Sequence, residues 1–178
     1  LPTPHDAIRI DDAAACAYGP IVKPKVCLET TVISYLASRP SRDIVVAAHQ
    51  ELTRQWWEQR RESWHLVVSE LVLREAADGD PQAADRRTAL LAGIDVLEIG
   101  QAALELATVL VDRHVVPAVA AEDALHIAIA VTNGIEYLLT WNCAHIANAT
   151  IRRAIDDVCI EQGYEPTVLC TPEELTEE

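Results

Sequence analysis

Residues 25–36 read KVCLETTVISYL, and this stretch decides the fold. Val26-Cys27-Leu28 is a short apolar run, Glu29-Thr30-Thr31 is a polar corner, and Val32 to Leu36 resumes at helical spacing, so the segment predicts strand, turn, helix. The same order recurs downstream. Leu66-Val67-Val68 predicts a second strand, with Ser69 capping a helix through Ala77 that breaks at Asp78-Gly79-Asp80-Pro81. A helix over about 81–92 leads to a third strand over 95–99. Helices follow over about 101–113 and, after Pro117, over about 119–132, where Asn133-Gly134 provides a left-handed stop. Tyr137 to Thr140 predicts a fourth strand, a helix over about 148–161 stops at Gly163, and Thr167 to Cys170 predicts a fifth. Between the first two strands Pro40 ends one helix and Ser41 is expected to cap the next, over 43–62, where Ile44, Ala47, Ala48, Leu52 and Trp56 share a face. Short apolar strands alternating with helices predict an α/β fold: a mainly parallel sheet of about five strands covered on both faces.

The 178 residues suit one domain, and a chain half hydrophobic and a quarter charged has enough apolar surface for a real core. The expected organisation is an N-terminal extension over 1–24 with one short helix at most, a domain over 25–171 and an acidic tail over 172–178. Phe and Met are absent, so Leu, Ile, Val and Ala must fill the interior together with four Trp and four Tyr; the missing Met also implies that residue 1 is not a translation start. Fourteen basic residues face twenty-eight acidic ones, a formal charge of -14. The chain therefore lacks the basic excess that duplex DNA or an anionic membrane attracts, and any phosphate must be held by other means. The apolar run around Val115 to Ala121 carries Pro117 and falls far short of the ~20 residues of a spanning helix. With no signal-peptide pattern, a cytoplasmic protein is expected. Five Cys (16, 27, 143, 159, 170) without a C-x-x-C pair predict reduced thiols rather than disulfides or zinc.

In an open α/β sheet ligands collect at the carboxyl ends of the strands. Four residues stand at such corners: Glu29 after the first strand, Glu75 in the helix after the second, Asp123 early in the helix from about 119, and Asn142 just past the fourth. Carboxylates converging from separate elements repel unless they hold cations, and oxygen donors select Mg²⁺ or Mn²⁺ over zinc. Such a layout suits metal-assisted phosphodiester hydrolysis. Each corner has a plainer reading too. Glu29 beside Thr30 and Thr31 can simply complement a helix dipole, and Glu75 can be a solvated helix residue beside Arg74. Glu70, its competitor, falls in the first turn, where capping is expected. Asp123 lies on the same side as Ile127 and Ala130 in an otherwise apolar helix, while Glu122 points to solvent. His126, one turn on, reads as a hydrogen-bonded core histidine before it reads as a ligand.

The motifs ETTVISYL (29–36), SELVLRE (69–75), EDALHIA (122–128) and LLTWNCAHIAN (138–148) together resemble those of PIN-domain nucleases, in particular VapC-type toxins of bacterial toxin–antitoxin pairs. The resemblance runs from about Lys25 to Cys170 in the family's order. It implies a three-layer α/β/α domain, a Mg²⁺ or Mn²⁺ site of acidic residues, endoribonuclease activity on RNA, and a small antitoxin protein as partner; a homodimer is expected. Matched one by one, the family's acids fall on Glu29, where Asp is usual, on Glu75, on Asp123 and on Asn142, where an acid is usual. Thr140 matches the hydroxyl before the last, and Thr30 or Thr140 is expected to orient a ligand. Glu29 reaches one methylene further, and Asn142 keeps a carbonyl oxygen without a charge.

Other patterns are weaker. Glu62-x-x-His65 and Asp123-x-x-His126 have di-iron spacing, which the strands contradict. Cys143 and His145 lack a second pair for a tetrahedral site. No Walker loop, G-x-S-x-G elbow or G-x-G-x-x-G turn is present. Arg54, Arg60 and Arg61 beside Trp56 and Trp57 read as a solvated helix end, with an RNA or protein contact as the minority reading. Besides the nuclease, two classes stay open: a PIN fold that binds RNA or antitoxin without cutting, and an oligomerising structural partner.

Overall fold

The computed structural model describes residues 23–175, so the extension expected over 1–24, including Cys16, lies outside the described residues apart from Lys23 and Pro24, as do the last three residues of the tail. The chain runs β1 (Lys25–Leu28), α1 (Thr30–Ala37), α2 (Ile44–Gln59), β2 (His65–Ser69), α3 (Glu70–Ala76), α4 (Pro81–Leu91), β3 (Asp95–Leu97), α5 (Gln101–Asp112), α6 (Ala121–Thr132), β4 (Tyr137–Leu139), α7 (Ala149–Glu161) and β5 (Val168–Cys170). Short 3-10 turns at Arg61–Ser63 and Ala118–Ala120 precede β2 and α6. The five strands form one sheet in the order β3-β2-β1-β4-β5, every neighbouring pair parallel.

Strand residues alternate between two cores, as the two-residue period of a pleat requires. Val26, Leu28, Val68, Leu139 and Cys170 pack with Val32 and Ile33 of α1, Trp56 of α2, Ala76 of α3 and Leu91 of α4. Cys27, Val67, Leu138 and Leu169 pack on the other side with Leu106 and Leu110 of α5, Ile127 and Ala130 of α6, and Ile155 and Val158 of α7. The result is the three-layer α/β/α arrangement.

Most boundaries follow local chemistry. Ser69 accepts from Val72 N (3.2 Å) at the start of α3, Asp80 accepts from Ala83 N (2.9 Å) ahead of Pro81, and Asn148 accepts from Thr150 N (2.9 Å) ahead of α7. Gly134, at φ 61°, takes the chain out of α6 in a conformation a side chain would resist. Two boundary expectations need correction. The cap of α2 is Asp43, which accepts from Val45 N and Val46 N, whereas Ser41 accepts from Asp43 N one step earlier; the helix also ends at Gln59 and gives way to the 3-10 turn. Glu70 does not cap α3: its carboxylate accepts from Ile99 N (3.0 Å), tying α3 to the chain after β3.

Cys27, Cys159 and Cys170 are buried free thiols, and burial pushes them up to about 12, 11 and 12 respectively, too high for reactivity; Cys143 is free and exposed. Among the described residues no helix is long and apolar enough to cross a membrane.

Strand order also creates a crevice. The connection leaving β1 packs its helices on one face of the sheet, and the one leaving β4 packs α7 on the other. Adjacent strands whose exits diverge in this way leave a gap at their carboxyl ends. Glu29 and Thr140 stand at that gap.

Candidate metal centre

Glu29 sits at the junction of β1 and α1. Its backbone N–H extends the sheet ladder to Leu139 O (2.9 Å), and its side chain caps α1 by accepting from Thr31 N (3.1 Å). The Thr31 hydroxyl and the Thr140 hydroxyl (2.6 Å) donate to the same oxygen, Oε2. The carboxylate is thus pinned from two elements, and the other oxygen, Oε1, accepts none of these bonds. The residue is only 5 % exposed, and no Lys or Arg among the described residues pairs with it. A buried carboxylate without a cation is costly, and hydroxyl donors offset only part of that cost.

Glu75 enters from α3. It accepts from the Thr30 hydroxyl at the start of α1, and both its oxygens lie near His126 Nε2, at 3.2 and 3.1 Å. Burial alone would raise its carboxyl; the His126 hydrogen bond and charge, the Thr30 hydroxyl and the Arg74 charge outweigh burial and hold it below its ordinary value. His126 shows the reverse balance. Burial pushes the imidazole down, but the Glu75 hydrogen bond and the negative charges of Glu29, Glu75 and Asp123 prevail and raise it.

One donor atom each from Glu29, Glu75 and His126 lies within 4.8 Å of the others. Donor atoms gathered this closely can converge on one small divalent ion, whose ligands lie about 2.0–2.2 Å from it.

Asp123 and Asn142 lie apart from that group. Asp123, one turn before His126 on α6, pairs with His145 Nδ1 (3.0 Å). Asn142 organises the turn after β4: its Oδ1 accepts from His145 N (3.1 Å), its carbonyl accepts from Ile146 N and Ala147 N, and its own N–H donates to Thr140 Oγ1 (2.9 Å). The amide oxygen expected at the ion is engaged in that turn. Thr30 and Thr140, the two hydroxyls singled out in the sequence, each hold a different carboxylate. The structure brings two further residues to these acids. His126 belongs to the donor cluster, and its signal was the three-residue spacing from Asp123 that puts both on one helix face. His145, the partner of Asp123, stood out in the sequence only beside Cys143, as an incomplete soft-metal pair.

The Arg/Trp patch at the end of α2 and in the 3-10 turn after it is elsewhere. Arg54 pairs with Glu51, Arg61 stacks over Trp57 at 5.0 Å, and Trp56 is buried with its indole N–H on Leu175 O (3.0 Å). A cavity of about 610 Å³ lined by Trp57, Arg61, Trp64, His65 and Asp95 lies at the amino ends of β2 and β3, the edge of the sheet away from the carboxylates.

No family model matches the sequence, and no curated protein is detectably similar to it. Among solved structures, the chain superposes on a chain of VapBC2 from Rickettsia felis, crystallised bound to a DNA fragment from their promoter, with TM-score 0.54 and 15% identity over 83% of this chain and 98% of that one. VapC20 of Mycobacterium tuberculosis, described as a sarcin-ricin loop cleaving toxin, aligns with TM-score 0.49 and 18% identity over 64% of this chain and 86% of that one. The first likeness fixes the fold as PIN-like, the fold that the four sequence motifs implied.

Proposed function

We propose that this chain is a Mg²⁺- or Mn²⁺-dependent endoribonuclease and the toxin of a toxin–antitoxin pair, acting in the cytoplasm as a homodimer. The observation that carries the reading is the juxtaposition of Glu29 and Glu75 with His126 in the crevice between β1 and β4. Two acids from separate elements, one buried without a Lys or Arg partner among the described residues, are what a divalent ion would relieve. A bound ion supplies activation of water and neutralisation of charge on the phosphodiester. Thr31 and Thr140 fix the direction of the Glu29 carboxylate, and Thr30 and His126 fix that of Glu75, so neither has to be ordered when RNA arrives. In this reading Asp123 and Asn142 act at the rim, Asp123 holding water or a second ion that arrives with the RNA phosphate. A chain of charge -14 needs such cations to approach RNA at all. The VapBC2 neighbour is a two-component complex, which supports an antitoxin partner; an Arg or Lys of that partner would neutralise the same carboxylates.

A second reading, a PIN fold that binds RNA or antitoxin without cutting it, draws on the engagement of Asp123 and Asn142 with His145. One experiment separates the two. The purified chain should cleave RNA with Mg²⁺ or Mn²⁺, stop in EDTA and resume when the ion is restored. Retention of RNA without cleavage in either ion selects the binding module, and cleavage undiminished in EDTA, with contaminating nuclease excluded, overturns the metal mechanism.

A further inference from the structure

We infer that His126 Nε2 is itself a ligand of the ion, giving the centre two carboxylates and one imidazole and a preference for Mn²⁺ over Mg²⁺. The inference rests on the metal-dependent reading above and specifies the donor set of that site. Three observations lead to it.

The first is distance. Nε2 lies 3.1 and 3.2 Å from the two oxygens of Glu75. Neighbouring ligands on an ion with bonds of about 2.1–2.2 Å are separated by about 3 Å, so the spacing of nitrogen and carboxylate already matches two adjacent positions of one coordination sphere. The second is enclosure. His126 is 3 % exposed and its α6 neighbours Ala124, Ile127, Ala128, Ile129 and Ala130 are all fully buried, so close packing holds the ring beside Glu75. The proton that Nε2 shares with Glu75 would have to leave as a cation arrives, which frees the ring nitrogen's lone pair for the ion. The third is the competing acid. Asp123, the sequence-based choice for the third ligand, is turned to His145, and its carboxylate is outside the group that Glu29, Glu75 and His126 form.

The donor set has a consequence for the ion. Mg²⁺ favours oxygen ligands and sheds its water reluctantly, whereas imidazole suits first-row transition ions, and Mn²⁺ accepts both donor types. Mn²⁺ should therefore bind the full chain at least about tenfold more tightly than Mg²⁺.

Electron paramagnetic resonance tests this directly. Mn²⁺ is titrated into the full chain, its binding is read from loss of the free-ion signal, and pulsed measurements on the bound ion look for coupling to a directly ligated ¹⁴N. The expected result is bound Mn²⁺ with nitrogen coupling that persists in His145→Asn and disappears in His126→Asn. Because His126 is buried and its variant can fail to fold, circular dichroism accompanies it; if it does not fold, parent and His145→Asn decide the matter, since coupling retained in the latter leaves His126 as the imidazole that stands with Glu29 and Glu75 among the described residues. Tight Mn²⁺ binding without ligated nitrogen, or coupling lost in His145→Asn, overturns the inference and leaves the metal-dependent reading standing. An absence of Mn²⁺ binding to the parent overturns both.

Discussion

The corner that gathers Glu29, Glu75 and His126 and the corner that holds Asp123, Asn142 and His145 use the same residue types with opposite results. In the first, each side chain is set by a regular element: the cap of α1, the body of α3, the packed face of α6. Hydroxyls and one imidazole hold the acids, and Glu29 and His126 are almost fully enclosed. In the second, Asn142 and His145 lie on the turn after β4 and the His145 side chain is 37% exposed; Asp123, at 21%, is about as open as Glu75, at 26%. A carboxylate–imidazole contact that water reaches contributes little, and its members can exchange partners cheaply. The enclosed corner is therefore built to hold one geometry, and the open one to change.

The largest test of that difference compares the two acids. Glu29→Gln removes the charge of the enclosed carboxylate while keeping its size, and should reduce Mn²⁺ affinity and RNA cleavage at least about 100-fold; Asp123→Asn should lower both about tenfold or less, with the fold intact. Calorimetric titration and cleavage rates measure both. Equal losses would merge the two corners into a single site and remove the distinction.

A middle-sized effect should appear in the pH dependence of the metal-free protein. His126 is raised above its ordinary 6.5, so its contribution to stability is complete below that value and fades as pH rises through the raised one. Glu75 is lowered below its ordinary 4.5, so its contribution is complete above 4.5 and fades as pH falls through the lowered one. The pair therefore stabilises most between about pH 4.5 and 6.5. In EDTA, the difference in melting temperature between the parent and Glu75→Gln should peak in that window and shrink on both sides. A difference that stays flat from acid to alkaline pH would mean that the two groups are not coupled as their geometry indicates.

The smallest effect belongs to Asn142→Asp. An aspartate can still accept from His145 N, so the turn survives, but it adds a negative charge beside Asp123. Metal-free melting should drop slightly, and added Mn²⁺ should restore more than it does in the parent, with affinity improved only a few-fold. Unchanged affinity and unchanged metal-linked stabilisation, read by melting with and without ion, would place residue 142 outside the reach of the ion altogether.

Much of the molecule was legible before any coordinates. The strand corners at Glu29 and Thr140, the cap at Ser69, and the stops at Gly134 and Gly163 all follow from residues within a few positions of one another, whereas the caps at Asp80 and Asn148 emerged only in the structure. The cap of α2 shows the limit of such signals. Ser41 and Asp43 are both good capping residues, and the choice between them is fixed by Gln50, whose amide accepts from Ser41 N and donates to Arg39 O and so reserves that stretch for a loop. Glu70 shows it again: its place in the first turn suggested a cap, yet Ile99 N, twenty-nine residues on, takes its carboxylate.

By itself the sequence determined which elements form, that the sheet is parallel, and which acids stand at strand ends, because periodicity, capping and left-handed glycines act over one or two turns of chain. Only the tertiary structure decided that β1 lies between β2 and β4, that Glu75 meets His126 across 51 residues, and that Asp123 meets His145 across 22. Those choices depend on side-chain atoms arriving within about 3 Å of each other after every helix has docked. A shift of one ångström exchanges one partner for another, and no local preference along the chain encodes a distance that small.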